Sequence, residues 1–194
     1  MKKIVAFDFD GTLTRKDSLL AFIRFVFGEA KCWWGFLRFS PLIILMLLRL
    51  YSHHRTKERL FGYFFKGMSV ETFNAHCQQF AETHRPILRE GGVKAVEQAL
   101  TDGAEVVIIS ASIDNWVQPF FPQVKVLGTQ VEVADGSLTG RFLSANCFGQ
   151  EKVNRLLAEY PHRSEYHLTA YGDSEGDKEL LAFADESHYK PFRP

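Results

Sequence analysis

Lys3-Ile4-Val5-Ala6-Phe7-Asp8-Phe9-Asp10-Gly11-Thr12-Leu13-Thr14 joins a short apolar run to two carboxylates and a glycine. Lys3 to Phe9 reads as a buried strand that ends in acids. Gly11 permits a tight turn directly after them. Working outward, the same pattern recurs. Glu105 to Ile109 is a second buried strand, closed by Ser110-Ala111-Ser112, and Tyr166 to Tyr171 is a third, closed by Gly172-Asp173. Helices are expected over Val93–Leu100, Asp114–Phe120, Gln150–Tyr160 and Asp177–Phe183, with a last strand around Ser187–Tyr189. Val124–Leu127 and Gln130–Val133 are strand-like, and the turn Ala134-Asp135-Gly136 leads into Ser137–Phe142 as a hairpin. Strands alternating with helices imply an α/β, three-layer core around a mostly parallel sheet. Ligands of such sheets collect at the carboxyl ends of the strands.

The stretch between Thr14 and Pro86 carries no strand signal and reads as an all-α insert. Asp17 caps a helix over Ser18–Phe27, which Gly28 ends. Two further helices are expected near Thr56–Lys66 and, capped by Ser69, Val70–His84. Between them, Trp33 to Tyr51 is unusually apolar. Its longest unbroken run, Pro41 to Leu48, has eight residues, whereas a spanning helix needs about 20, so a regular transmembrane helix is not expected. Two readings stay open: a core helix of the insert, or a helix partly facing lipid with Trp33, Trp34, Arg38 and Arg49 at the interface. The expected division is an α/β core over 1–14 and 86–194 and a helical cap over 15–85.

The formal net charge is zero, but its distribution is uneven. The insert from Arg15 to Arg85 holds 11 Lys/Arg against 5 Asp/Glu, so a basic cap sits in an acidic body. Such a cap suits anionic substrates or an anionic membrane face. No compact Lys/Arg run with interleaved aromatics occurs, which argues against nucleic acid. The cysteines, Cys32, Cys77 and Cys147, have neither metal-type nor disulfide spacing. With no signal-peptide pattern after Met1, a cytoplasmic setting is expected, either free or peripheral at the inner face of a membrane. Neighbouring His53 and His54 would point about 100° apart on a helix, and so read as surface or substrate-facing groups rather than a metal pair.

Four polar signals occupy equivalent places: Asp8 and Asp10 after the first strand, Ser110 after the second, Asp173 and Asp177 after the third, and Lys152 near a helix start. Their convergence suits phosphoryl transfer. A dianionic substrate beside carboxylates needs a cation, and oxygen ligands such as Asp8 and Asp173 suit Mg²⁺. A carboxylate can form an acyl phosphate and split one hard step into two. A second acid two residues on can shuttle the proton. An ammonium and a hydroxyl can hold the phosphoryl oxygens.

In these residues the chain resembles the haloacid dehalogenase superfamily of phosphohydrolases. The motifs are Asp8-Phe9-Asp10-Gly11-Thr12-Leu13-Thr14, Val107-Ile108-Ile109-Ser110, Gly149-Gln150-Glu151-Lys152-Val153 and Gly172-Asp173-Ser174-Glu175-Gly176-Asp177, in the family's order. A helical insert after the first motif is similar to the phosphoserine phosphatase-like branch, subfamily IB. The resemblance implies a Rossmann-like core and an aspartyl-phosphate mechanism. It implies Asp8 as nucleophile and Mg²⁺ ligand, and Asp10 as general acid/base with its main-chain carbonyl on the metal. Gly11, Thr12, Ser110 and Lys152 would bind the phosphoryl group. Asp173 would ligate Mg²⁺, and Asp177 would support the metal site and Lys152. Asp17, Arg24, Arg55 and Arg59 are the candidates for substrate selection in the cap. The expected substrate is a small organic phosphate such as phosphoserine. The apolar cap also resembles the phosphatidylglycerophosphatase C-like members, which implies a lipid head-group phosphate as the alternative. A phosphotransferase and a non-catalytic phosphate-binding module are further alternatives.

Overall fold

A computed structural model describes residues 2–48 and 50–193. Arg49, expected at a lipid interface, lies outside the described residues, as do Met1 and Pro194 at the ends of the expected core.

Strand β1 spans Lys2–Phe7. It stops one residue before Asp8, because Phe9–Leu13 coil into a tight turn in which Gly11 takes φ +83°. The expected strand over Lys3–Phe9 is therefore shorter at its acidic end, and both carboxylates stand in the turn. Helix α1 covers Ser18–Leu47, α2 His53–Phe65, α3 Val70–Thr83 and α4 Glu90–Thr101. Strand β2 (Glu105–Ile113) and the one-turn α5 (Asp114–Val117) follow. Then come β3 (Lys125–Thr129), β4 (Val131–Ala134) and β5 (Ser137–Phe142). The chain ends with α6 (Gln150–Glu159), β6 (Tyr166–Gly172), α7 (Lys178–Phe183) and β7 (Glu186–Tyr189).

Five strands form a parallel sheet in the order β3-β2-β1-β6-β7. Strand side chains alternate between faces, and the core divides accordingly. Phe7, Val106 and Ile108 pack with Val96 of α4 and Trp116 of α5 on one side. Ile4, Ala6, Val107 and Ile109 pack with Val153 and Leu156 of α6 and Leu180 of α7 on the other. The result is the three-layer α/β architecture read from the sequence.

The cap helices gather a cluster of aromatic rings. Phe22 of α1 contacts Phe65, Phe73, Phe80 and Trp116 with centroids 5.0 to 5.8 Å apart. Since Trp116 belongs to α5, this cluster ties the cap to the core. The hairpin β4–β5, turned at Asp135 and Gly136 with φ 48° and 73°, packs on α2. Glu58 of α2 accepts the Phe142 amide at 2.9 Å. A Cβ on Gly62 would stand 2.9 Å from the Gly140 carbonyl, so glycine is what lets the two backbones meet.

Helix α1 bends where the sequence places its end. Gly28 has φ 79° and ψ 166°, non-helical values that separate an arm over 18–27 from one over 29–47. The second arm runs through Arg38, Ser40 and Pro41. Pro41 cannot donate to the Leu37 carbonyl, and the Ser40 hydroxyl does so instead at 2.8 Å. The eight-residue apolar run therefore sits in a much longer helix. By length and composition α1 meets the requirement for a membrane-crossing helix, and only 11% of its most apolar 18-residue window is buried.

Candidate active site

Asp8 leaves the end of β1 with its amide bonded to the Tyr171 carbonyl of β6 at 2.9 Å. This places it in the crevice between two strand ends. Lys152, in the first turn of α6, reaches it there. Its Nζ lies 2.6 Å from Asp8 Oδ1 and 2.5 Å from Asp177 Oδ1, and all three groups are buried. Asp177 Oδ2 accepts from the amides of Asp173 and Ser174 at 3.1 and 3.0 Å and from the Ser174 hydroxyl at 2.8 Å. With both oxygens engaged, Asp177 serves as a brace for Lys152 and for the loop carrying Asp173. Thr12 donates to Asp173 Oδ1 at 3.4 Å, and Arg193 donates to Asp173 Oδ2. A Cβ on Gly11 would run into the Asp173 carboxylate, and φ +83° is itself costly for other residues.

Asp10 is held differently. Its Oδ1 accepts the Ser18 amide at 2.8 Å, and its Oδ2 accepts hydroxyls from Ser18, at 2.9 Å, and Ser112. Ser110 accepts the Ser112 amide at 3.1 Å. Ser18 and Ser112 are site residues that the sequence reading misses. Ser112 was visible as a partner, because Ser110 and Ser112 stand two apart on one strand and so share a face. Ser18 carried no such signal beyond following the cap residue Asp17.

Burial dominates the electrostatics. It raises the Asp8 carboxyl to about 7; Lys152 opposes the rise and Asp177 adds to it. Burial, with Asp17 adding, raises Asp10 to about 6 against the hydrogen bonds from Ser112 and Ser18. Asp173 is also raised, by burial first. Burial alone would lower Lys152, but Asp8 and Asp177 outweigh it and hold the ammonium charged. Carboxylate oxygens of Asp8, Asp173 and Asp177 come within 4.8 Å of one another. An all-oxygen, buried and acid-rich set, met by the Lys152 ammonium and the Arg193 guanidinium, fits a hard divalent cation such as Mg²⁺.

Beside Asp10 opens a pocket of about 280 Å³. Its polar lining includes Asp10, Asp17, His53, Lys57 and Ser112; its apolar wall includes Leu19, Phe36, Ile43, Met46, Leu60 and Phe148. Lys57 Nζ donates to the Ala111 carbonyl at 2.5 Å, and burial lowers its pKa while Asp10 and Asp17 oppose the drop. Asp17 caps α1 through the Leu20 amide at 2.9 Å and also lines this pocket.

The other three cap candidates stand elsewhere. Arg24 pairs with Glu29 at 3.3 Å and lies over the Trp33 ring. Arg59 lies over Tyr51, and Arg55 is exposed. Residues two apart on a helix point about 200° apart, so Arg55 and Arg59 face away from the pocket that Lys57 enters. His53, Thr56, Lys57 and Leu60, on the other face of α2, line the pocket instead. Of the two histidines, His53 lines the pocket, stacked on Phe148, and His54 accepts the Asn146 amide at 3.2 Å.

The family model described as haloacid dehalogenase-like hydrolase matches residues 5–182. Protein CicA of Caulobacter vibrioides is 37% identical over 196 residues, covering 98% of this chain and 86% of its own length. Among solved structures, a protein of unknown function from Bordetella pertussis Tohama I is similar at TM-score 0.82 and 22% identity, covering 96% of this chain and 89% of that one. A substrate-bound phosphoserine phosphatase is similar at TM-score 0.66 and 15% identity, covering 97% of this chain and 86% of that one. These two likenesses concern the fold.

Proposed function

Since the chain belongs to the haloacid dehalogenase-like hydrolase family, we propose that it is a Mg²⁺-dependent phosphomonoesterase acting through an aspartyl-phosphate at Asp8. The observation that carries this reading is the buried cluster in which Lys152 bridges Asp8 and Asp177, with Asp173 beside them and Asp10 two residues on. Asp8, Asp173 and the main-chain carbonyl of Asp10 would hold the cation, and Asp177 would brace the set. When bound, Mg²⁺ supplies positive charge that keeps the carboxylates ionised and polarises the phosphoryl group.

The protein's own residues account for the two half-reactions. An Asp8 oxygen attacks phosphorus, the ester P–O bond breaks, and protonated Asp10 gives its proton to the leaving alkoxide. Ionised Asp10 then takes a proton from water as that water's oxygen attacks the acyl phosphate. The bond from Asp8 to phosphorus breaks, inorganic phosphate leaves, and Asp10 is protonated again. A carboxyl raised to about 6 suits both halves near neutral pH, because neither protonation state is costly. Lys152, Ser110 and the amides of Gly11 and Thr12 offset charge on the phosphoryl oxygens.

The substrate is a small organic phosphate ester. Its alcohol part lies in the pocket beside Asp10, where Lys57 and Asp17 read polar groups. Phosphoserine meets the charge pattern of that pair. A second reading, an ester with an apolar body such as a lipid head-group phosphate, is favoured by the wall of Leu19, Phe36, Ile43, Met46 and Leu60. A panel of phosphate esters with Mg²⁺, spanning phosphoserine, glycerol phosphate and phosphatidylglycerophosphate, ranks the two. A phosphotransferase would show acceptor-dependent release of the alcohol product. Absence of turnover across the whole panel would contradict the phosphatase reading.

A further inference from the structure

The 29–47 arm of α1 has two apolar faces. At 100° per residue, Cys32, Gly35, Phe36, Phe39, Ile43 and Met46 share one face. Cys32 and Gly35 are buried there, Gly35 closely against Phe64 of α2, while Phe36, Ile43 and Met46 line the pocket beside Asp10. The opposite face carries Trp34, Leu37, Pro41, Ile44, Leu45 and Leu48, all exposed. Trp34 is 69% and Leu48 62% exposed, values expected of polar side chains on a helix in water. The sequence of this segment is charged with one sign. No Asp or Glu occurs between Glu29 and Glu58, whereas Lys31, Arg38, Arg49, Arg55 and Lys57 do.

We propose that this outer face of α1 lies in the plane of an anionic lipid surface, bringing the pocket beside Asp10 to phosphate esters held there. Trp33 and Trp34 suit the boundary between headgroups and acyl chains, and the apolar residues between Trp34 and Leu48 suit the layer beneath it. Arg38 and Lys31 would meet the anionic headgroups. Crossing the membrane is disfavoured, because the inner face of the arm is committed to α2 and the pocket. A second copy of this chain is the other occupant to weigh. Pairing the same faces would set two acid-free, basic segments against each other, which charge disfavours. The membrane contact stands independently of the chemistry at Asp8; only the delivery of substrate rests on the phosphatase reading.

Flotation with vesicles of phosphatidylcholine, with and without phosphatidylglycerol, tests the contact. Wild-type protein and Asp8→Asn should both float with the anionic vesicles, and raised salt should weaken the binding. A triple variant, Trp34→Ser with Leu37→Ser and Ile44→Ser, should lose at least about tenfold in bound fraction, because it removes apolar area from the contact. It should keep wild-type turnover of a soluble phosphate ester, since none of the three lines the pocket. A second readout needs no variant. Exposed Trp33 and Trp34 should shift to the blue and be quenched by lipids brominated in the acyl chain, while buried Trp116 should not respond. Absent flotation together with absent quenching would overturn the proposal. A dimer in solution that the triple variant dissociates would overturn it too. Loss of turnover in Asp8→Asn with intact flotation would leave both this contact and the catalytic reading standing; intact turnover in that variant would overturn the catalytic reading alone.

Discussion

Lys152, buried, and Lys57, half-buried, are both ammonium groups beside the active site, yet they are held in opposite ways. Lys152 sits between two carboxylates, on a core helix, and is held charged. Lys57 comes from the cap, donates to a main-chain carbonyl, and is pushed towards neutrality by burial. In the proposed reaction the core thus provides a charge needed whatever the ester. In the same proposed reading Lys57, with Asp10 and Asp17 nearby, meets a second anionic group on the ester. The difference separates a reaction floor, made of paired polar groups at strand ends, from a selection wall built of helix faces.

Substitutions in the floor should have the largest effects. Asp8→Asn should lower kcat by about 10⁴-fold or more for every ester, since it removes the nucleophile. Asp10→Asn should lower it by about 10²- to 10⁴-fold, most for alcohols that leave poorly, because proton donation is lost. The wall should behave otherwise. Lys57→Met should raise KM about tenfold for esters bearing a second anionic group and leave kcat within a few-fold, with Lys57→Arg restoring part of the loss. Equal loss across charged and uncharged esters would place Lys57 in the floor instead.

The floor should also show itself without substrate. Carboxyls raised in the folded state, Asp8 to about 7 and Asp10 to about 6, stabilise the fold when protonated. That stability is full below the unfolded carboxylate range and is lost as pH rises through the folded values. From pH 5 to 8 the metal-free protein should lose on the order of 2–4 kcal/mol, roughly 5–10 °C in Tm. Burial lowers His84, which works weakly the other way in the lower part of that window. Mg²⁺ should reverse most of the loss at pH 8, because it binds the ionised carboxylates. A Tm that rises from pH 5 to 8 in chelator would contradict the electrostatic account.

The same division explains what the sequence disclosed. Asp8 and Asp173 follow strands, and Ser110 lies in one, whose apolar runs are written locally, so the sheet and these polar positions could be read together, although β2 runs on to Ile113, past its expected end at Ile109. The Gly28 bend and the Ser69 cap were equally local. Lys57 was not, because choosing it over Arg55 and Arg59 requires knowing which face of α2 meets Ala111. Ser18 became legible only once the turn after β1 brought Asp10 between it and Ser112. A helix in the Trp33–Tyr51 stretch was legible from its apolar run, but its length was not, because Arg38, Ser40 and Arg49 interrupt or flank that run and the Ser40 hydroxyl takes up the carbonyl that Pro41 cannot reach.

Covalent chemistry at Asp8 leaves an intermediate that can be trapped. Asp10→Asn protein mixed with ester and Mg²⁺, quenched, reduced with borohydride and digested, should yield a peptide with homoserine in place of Asp8. The same treatment of Asp8→Asn should yield none. Homoserine at another acidic position, or steady turnover by Asp8→Asn near the wild-type rate, would contradict the account.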